Sequence, residues 1–327
     1  MTDFQDPENP PQCENSAPVV IVTGPTAGGK SGLALALAQR LNGVIVNADS
    51  MQVYRDLRVL TARPSEAEES LAPHRLFGVL GAEERCSVGR WLELAVEAIA
   101  ATRAEGRLPI VVGGTGMYLK ALTQGLAPVP EVPEAVTAES TALYENLGGE
   151  AFCDRLAALD PEAAQTLPPG DRQRLIRAHA VAVATGQTLA AWQAAHPEDG
   201  PVAGPFFTIL VLPPRSALYA SCDGRFTEML DQGAVEEVEA LMARGLDPSL
   251  PGMRAVGVRE LAAAMACEMT WGEAAEKSRQ ATRNYAKRQM TWFRHQLHPD
   301  LVLERGGPEA MVQVLDHPRF AALVRNV

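Results

Sequence analysis

The chain has 327 residues, 46% of them apolar, and a net charge of −11 at neutral pH. That length and apolar content suit one large α/β domain with a smaller companion. No apolar run approaches the roughly 18 residues of a membrane span, and five scattered cysteines with no C-x-x-C pair exclude a disulfide framework or a zinc knuckle. An acidic chain can still bind nucleic acid, but only if its positive charge gathers on one surface.

Met1 to Ala17 is rich in Asp, Glu, Asn and Pro and lacks a basic-then-apolar leader pattern, so a disordered tail on a cytoplasmic protein is expected. Val19-Val20-Ile21-Val22 then reads as a strand buried on both faces. It runs into Gly24-Pro25-Thr26-Ala27-Gly28-Gly29-Lys30-Ser31, which fits G-x-x-x-x-G-K-[ST], and Leu33, Leu37 and Leu41 continue it as a helix. In this strand–turn–helix setting the loop amides and the helix dipole make a phosphate cradle. Lys30 is expected to reach the outer phosphate and Ser31 to place its hydroxyl on Mg²⁺.

A second buried strand, Gly43 to Asn47, ends on Ala48-Asp49-Ser50-Met51-Gln52. Side chains just past the carboxyl ends of parallel strands line the ligand crevice, which puts Asp49 in the region of the cradle. Asp49 could equally cap a following helix, with Gln52 completing a capping box. Leu76 to Leu80 reads as a possible strand, and Val88 to Arg103 as an amphipathic helix. A third buried strand from Leu108 opens through Gly113-Gly114-Thr115-Gly116. It lacks the terminal aspartate with which hydrolytic P-loop proteins hold a metal. Its glycines would admit something large near the backbone, with Thr115 offering a hydroxyl; close helix packing is the alternative use.

Pro128, Pro130 and Pro133 mark a boundary, and Ala135 to Ala195 carries only helical periodicity, the pattern of a helical insertion. Within it Arg172, Arg174 and Arg177 cluster, Arg174 and Arg177 on one face; three such charges alone fit a solvated helix surface. The sheet resumes at Phe206 to Leu212, so the core is discontinuous: 18–127 and 206–305, with the insertion at 128–205 and an extension at 306–327. A helix and an amphipathic continuation follow from Tyr219 to Arg244. In the last long helix, from Glu273 to about Gln296, the stretch Lys277 to Arg294 holds basic residues and no acid. Arg279, Arg283, Lys287 and Arg294 are expected on one outward face, opposite Tyr285 and Trp292, which suits phosphate-backbone contact.

Taken together, these motifs resemble the tRNA dimethylallyltransferase (tRNA isopentenyltransferase) family over nearly the whole chain, Val19 to about Pro299. The resemblance rests on Gly24 to Ser31, Asp49 to Arg55, Gly113 to Tyr118, Asp171 to Arg177 with Thr185-Gly186, Arg254 to Gly257, and Thr282 to Gln289 with Thr291 to Phe293. It implies a P-loop NTPase-like α/β core with a mainly parallel sheet and a helical insertion domain, joined around a channel. It also implies transfer of a dimethylallyl group from dimethylallyl diphosphate to the adenosine beside a tRNA anticodon, with Mg²⁺, by a cytoplasmic monomer that has no membrane contact. On that match Asp49 accepts the proton from the exocyclic amine, Thr115 fixes its geometry, and Arg254 joins Lys30 on the diphosphate. Contacts to the anticodon stem-loop would come from Asp49, Ser50, Met51 and Gln52, from Gln173, Arg174, Leu175, Ile176 and Arg177, and from Arg254, Arg259, Arg279, Arg283 and Lys287. The chain departs from the family pattern at Asp56 to Leu60, at Arg75 after His74, and at Thr137.

A small-molecule P-loop kinase shares the loop and core but leaves the basic helix and the insertion unexplained. A nucleotide-dependent RNA switch would need a base-reading N/T-K-x-D motif, which the chain lacks. Whether ATP occupies the loop stays open at this level.

Overall fold

The computed structural model describes residues 17–195 and 200–325, so the expected tail, residues 1–17, lies outside them except for Ala17. Two compact units separate along the chain, Met1–Thr123 with Pro201–Val327, and Gln124–Gly200.

The first unit begins with β1 (Val19–Thr23), α1 (Lys30–Arg40), β2 (Gly43–Asn47), α2 (Glu66–Leu71), β3 (His74–Arg75), α3 (Val88–Ala104), β4 (Leu108–Gly113) and α4 (Gly116–Gln124). The second holds α5 (Glu134–Ala157), α6 (Pro161–Thr166), α7 (Arg172–Thr185) and α8 (Leu189–Ala194). The first then resumes with β5 (Phe206–Val211), α9 (Arg215–Asp231), α10 (Ala234–Ala243), α11 (Val258–Met265), α12 (Trp271–Gln296), β6 (Leu301–Leu303), α13 (Met311–Leu315) and α14 (Pro318–Val324).

The six strands run parallel in the order β3-β2-β4-β1-β5-β6. Every residue of β1, β2 and β4 is buried, as a parallel sheet covered on both faces requires. Alternation along β1 divides the core: Val19 and Ile21 pack with Trp91, Leu119, Val258 and Phe293, while Val20 and Val22 pack with Leu33, Leu37, Val314 and Phe320. The described part of the expected extension, residues 306–325, therefore contributes to the core, because Ala310, Val314 and Phe320 seal the α1 face of the sheet.

One expected element takes a different form. Leu76 to Leu80 is not a strand beyond a single bridge from Tyr54 to Leu80. Leu76 at φ 66 and Gly78 at φ 60 both lie in the left-handed region, which a strand cannot hold. The helix and continuation expected from Tyr219 to Arg244 are α9 and α10, parted at Gly233, whose φ of 98 lets the chain turn.

In the second unit Phe152 and Leu156 of α5 pack on Leu175, Ile176 and Ala178 of α7. Asp171 caps α7 through the Arg174 amide, and Gly186 in the left-handed region ends it. His179 and Ser140 form a buried pair, Oγ to Nδ1 3.0 Å, and the Ser140 hydroxyl is donated to Val136 O. The serine hydrogen being committed, the imidazole is the donor at Nδ1.

Candidate active site

The cradle follows from backbone constraints that only its own residues meet. A Cβ on Gly24, at φ 146, would lie 2.1 Å from Val211 O, so β1 can leave the sheet beside β5 only through glycine. Gly29 at φ 85 turns the chain into α1, leaving the first amides of that helix facing the loop. Lys30 Nζ reaches back over the loop to Pro25 O at 2.7 Å. Burial pushes the Lys30 ammonium down from 10.5 to about 8, against the attraction of Asp49 and with help from the repulsion of Arg225.

Arg225 is the second cation of the cradle. It projects from α9, and its Nη2 donates to Thr26 Oγ1 at 2.5 Å. Burial lowers its pKa, opposed by Cys222 and Asp49. Two cations thus share one partly buried loop, and the carboxylate that acts on both, Asp49, is not paired to either by a salt bridge among the described residues.

Asp49 is aimed by Asn47, a fully buried residue at the end of β2. Asn47 Oδ1 accepts from the Asp49 amide at 2.8 Å, and its Nδ2 donates to Asp49 O at 3.0 Å and Leu76 O at 3.1 Å. Asp49 Oδ1 in turn accepts from the Met51 amide at 2.9 Å, closing a turn, and no helix follows for it to cap. Gln52 makes no capping box; its Nε2 donates to Thr61 O and Ala62 O at 2.8 and 2.9 Å. Thr115 Oγ1 accepts from the Ser50 amide at 2.9 Å, so the Gly113-to-Thr115 loop is locked to the Asp49 turn. Tyr285 completes this wall: burial and the Asp49 charge raise its pKa, while the neighbouring Thr115 hydroxyl favours its ionised form.

One cavity is bounded by several of these groups. Its polar wall includes Thr26, Asp49, Arg225 and Tyr285, and its apolar wall Leu60, Phe226, Met229, Ala255 and Val256. Leu60 and Thr61 are held there by Glu237 of α10, whose carboxylate accepts from the amides of Arg58, Val59 and Leu60 at 2.6, 2.7 and 2.9 Å. The chamber therefore pairs an anion cradle with an apolar recess and a carboxylate.

Several expected residues stand elsewhere. Arg254 is exposed and its neighbours Ala255 and Val256, not its own side chain, line the chamber; the arginine that meets the P-loop is Arg225. Arg259 is exposed. At the glycines that end and follow β4 the space is filled by the protein itself: a Cβ on Gly113 would meet Ala48 O at 2.1 Å, on Gly114 Gln289 Nε2 at 2.3 Å, and on Gly116 the Trp292 ring at 2.4 Å. Close internal packing, not a bulky ligand, is thus their use. Leu175 and Ile176 are buried in the core of the helical unit, which leaves Gln173, Arg174 and Arg177 as the exposed side chains of that stretch.

The outward cationic face of α12 is also narrower than expected. Arg283 is turned in, with Nη1 at 2.7 Å from Asp223 and Nη2 at 2.7 Å from Glu276. Arg279 donates to Thr227 Oγ1 at 3.0 Å beside the same Glu276. Exposed cations remain at Lys287, Arg288 and Arg294. Lys287 and Arg288 border an open groove with Asn284, Thr291 and Trp292, and the Arg288 guanidinium lies 5.7 Å over the Tyr285 ring.

The model for IPP transferase matches residues 52–296, and that for isopentenyl transferase matches residues 17–77. A tRNA dimethylallyltransferase of Rhodospirillum centenum is 55% identical over 280 residues, covering 86% of this chain and 89% of the relative. The chain belongs to the tRNA dimethylallyltransferase family. A second member, from Rhodospirillum rubrum, is 53% identical over 288 residues, covering 88% of each chain. The crystal structure of a full-length tRNA isopentenylpyrophosphate transferase from Bacillus halodurans is 28% identical with a TM-score of 0.66, covering 95% of this chain and 97% of that one. A eukaryotic dimethylallyltransferase acting on tRNA shares the fold at a TM-score of 0.78 and 24% identity, covering 94% of this chain and 78% of that one. The chain is accordingly a tRNA prenyltransferase, of a family that generally uses a divalent metal. Among its described residues no helix is long and apolar enough to cross a membrane.

Proposed function

We propose that this dimethylallyltransferase moves a dimethylallyl group from dimethylallyl diphosphate to N6 of the adenosine 3′ to the anticodon (position 37) in tRNAs reading codons that begin with U. The products are N6-isopentenyladenosine and diphosphate. The observation that carries the reading is a single chamber lined by Thr26 of the phosphate loop, Arg225 and Asp49, with Lys30 bonded back to that loop and Thr115 bonded to the Asp49 turn.

An adenine N6 amine is a weak nucleophile, because its lone pair is delocalised into the ring. The reaction therefore leans on its leaving group. The allylic C–O bond breaks with its electron pair going to the diphosphate oxygen, the N6 lone pair forms the new C–N bond, and an N6 proton passes to Asp49. Charge grows on the diphosphate, so donors fixed in advance around it lower the barrier. The P-loop amides, Lys30 and Arg225 fill that role, with Arg225 replacing the expected Arg254. Leu60, Phe226 and Met229 take the prenyl tail and keep water from the allylic centre.

Asp49 acts as general base, a contribution of typically 10²–10⁴-fold, and its turn is fixed by Asn47 and Thr115. The target base must leave its stack to reach it. The metal is read as Mg²⁺, which is held through few protein ligands plus substrate phosphates and water. The donor set fits: Ser31 is exposed at the start of α1, and no cluster of three His, Cys, Asp or Glu builds an all-protein cage among the described residues. Bound there, Mg²⁺ supplies positive charge to the departing diphosphate.

The anticodon stem-loop is read as meeting Ser50, Met51, Lys287, Arg288 and, on the helical unit, Gln173, Arg174 and Arg177. The working unit is taken to be a cytoplasmic monomer. Incubating the protein with Mg²⁺, unmodified tRNA and dimethylallyl diphosphate, then weighing the digested nucleosides, tests the reaction. Isopentenyl-adenosine is expected, and unchanged adenosine would contradict it.

A further inference from the structure

Gln289 is a buried, uncharged side chain that touches neither reactant wall from inside the chamber, yet it binds both walls from behind. It sits on α12, 6% exposed, on the stripe that α12 turns to the core. Its Oε1 accepts from the Thr26 amide of the P-loop at 2.8 Å, and its Nε2 donates to Gly114 O of the loop after β4 at 2.9 Å. One partner is a donor and the other an acceptor, so the amide has a single workable orientation and both ends are used. Gly114 has no room for more, since a Cβ there would lie 2.3 Å from Nε2 and 3.1 Å from Gly24 O.

Both partners adjoin the chemistry. Thr26 also accepts from Arg225 through its hydroxyl, and the residue after Gly114 is Thr115, which holds the Asp49 turn through the Ser50 amide. We propose that Gln289 is a positioning residue: one amide side chain sets the spacing between the diphosphate cradle and the wall that receives the adenine amine. The inference rests on the assignment of those two walls made above. Its expected cost is large, because a misplacement of about 1 Å can lose 10²-fold in rate.

Gln289→Glu separates the two ends of the clamp. A carboxylate still accepts from Thr26 but repels Gly114 O, whereas a protonated carboxyl has an O–H to give back to it. The variant is expected to keep the wild-type fold by thermal melting and to lose roughly 10²-fold in kcat at neutral pH. KM for dimethylallyl diphosphate and for tRNA should stay within about threefold. The ratio of variant to wild-type kcat should then climb as pH falls and the new carboxyl protonates, a recovery that Gln289→Met, which fills the space without a donor, should lack.

A kcat equal to wild type, or a loss whose ratio stays flat with pH, would overturn the clamp. If the Glu variant does not fold, Gly114→Ala asks the same question by pushing the amide aside: a fall in kcat with both KM values held supports the clamp, and an unchanged kcat overturns it. Wild-type protein run alongside separates the two levels, since its failure to prenylate tRNA would sink the reaction itself and not Gln289.

Discussion

The two units treat buried polar groups in opposite ways. In the helical unit they find partners within the unit: His179 bonds Ser140, whose hydroxyl goes to Val136 O, and the buried Asp160 accepts from the Ala163 amide. In the P-loop unit Lys30 and Arg225 crowd one loop, their pKa values lowered by burial, with loop oxygens as partners in place of a paired carboxylate. Like charges brought together out of water cost stability. On the function proposed above that cost is borne to receive an anion, and Asp49, on the same polar wall as Arg225, has no salt bridge to either cation among the described residues. Surplus charge marks the working region, and internal pairing marks the scaffold.

The sharpest way to break this contrast is to remove the groups said to be in surplus. Asp49→Asn, isosteric but unable to take the N6 proton, is expected to lose about 10²–10⁴-fold in kcat with tRNA affinity unchanged in a filter-binding assay. Arg225→Gln should cost roughly 10²–10³-fold in kcat, as loss of a leaving-group donor does. Arg254→Ala, at an exposed site, should leave turnover of the donor near wild type, and steady-state kinetics on both variants decides between the two arginines. For the exposed cations, Lys287→Ala with Arg288→Ala should weaken tRNA binding and flatten its dependence on log salt by about one unit per lost phosphate contact.

Two pH effects sharpen the comparison. Lys30 carries charge only below its value of about 8, so kcat/KM for the diphosphate should fall as pH rises through that point. Removing the repulsion of Arg225 by Arg225→Gln should move that limb to higher pH. The smallest effect belongs to the helical unit. Burial and Arg155 lower the His179 pKa, so the unfolded chain binds that proton first and stability drains as pH falls below the ordinary histidine value of 6.5. His179→Leu should flatten this acid slope in thermal melts without touching turnover.

What sequence could reveal follows the same division. Lys30 was legible because strand, glycines, lysine and helix are contiguous, so local rules decide the geometry. β1, β2, β4 and β5 were legible for a like reason, as buried parallel strands are apolar throughout. β6 was not: it has three residues, and Val302 at its centre is 52% exposed, leaving no pattern to read. Arg225 stood as one arginine in a mixed helix, and its partner Thr26 is 199 residues away. Arg283 shows why helical periodicity misleads for charge. Spacing along α12 grouped it with Lys287, but Asp223 on α9 and Glu276 decide where it points. Gln289 lies inside the Thr282-to-Gln289 motif, yet a neutral amide advertises no chemistry until both of its partners are known.

The central claim is that the Lys30 charge is held in reserve for a diphosphate. Calorimetric titration of dimethylallyl diphosphate into the protein near pH 8, repeated in buffers of different ionisation enthalpy, reads the protons exchanged on binding. Net proton uptake is expected, because the incoming anion restores the lysine charge, and the uptake should vanish in Lys30→Met. Binding with no proton uptake in the wild-type protein would contradict the account.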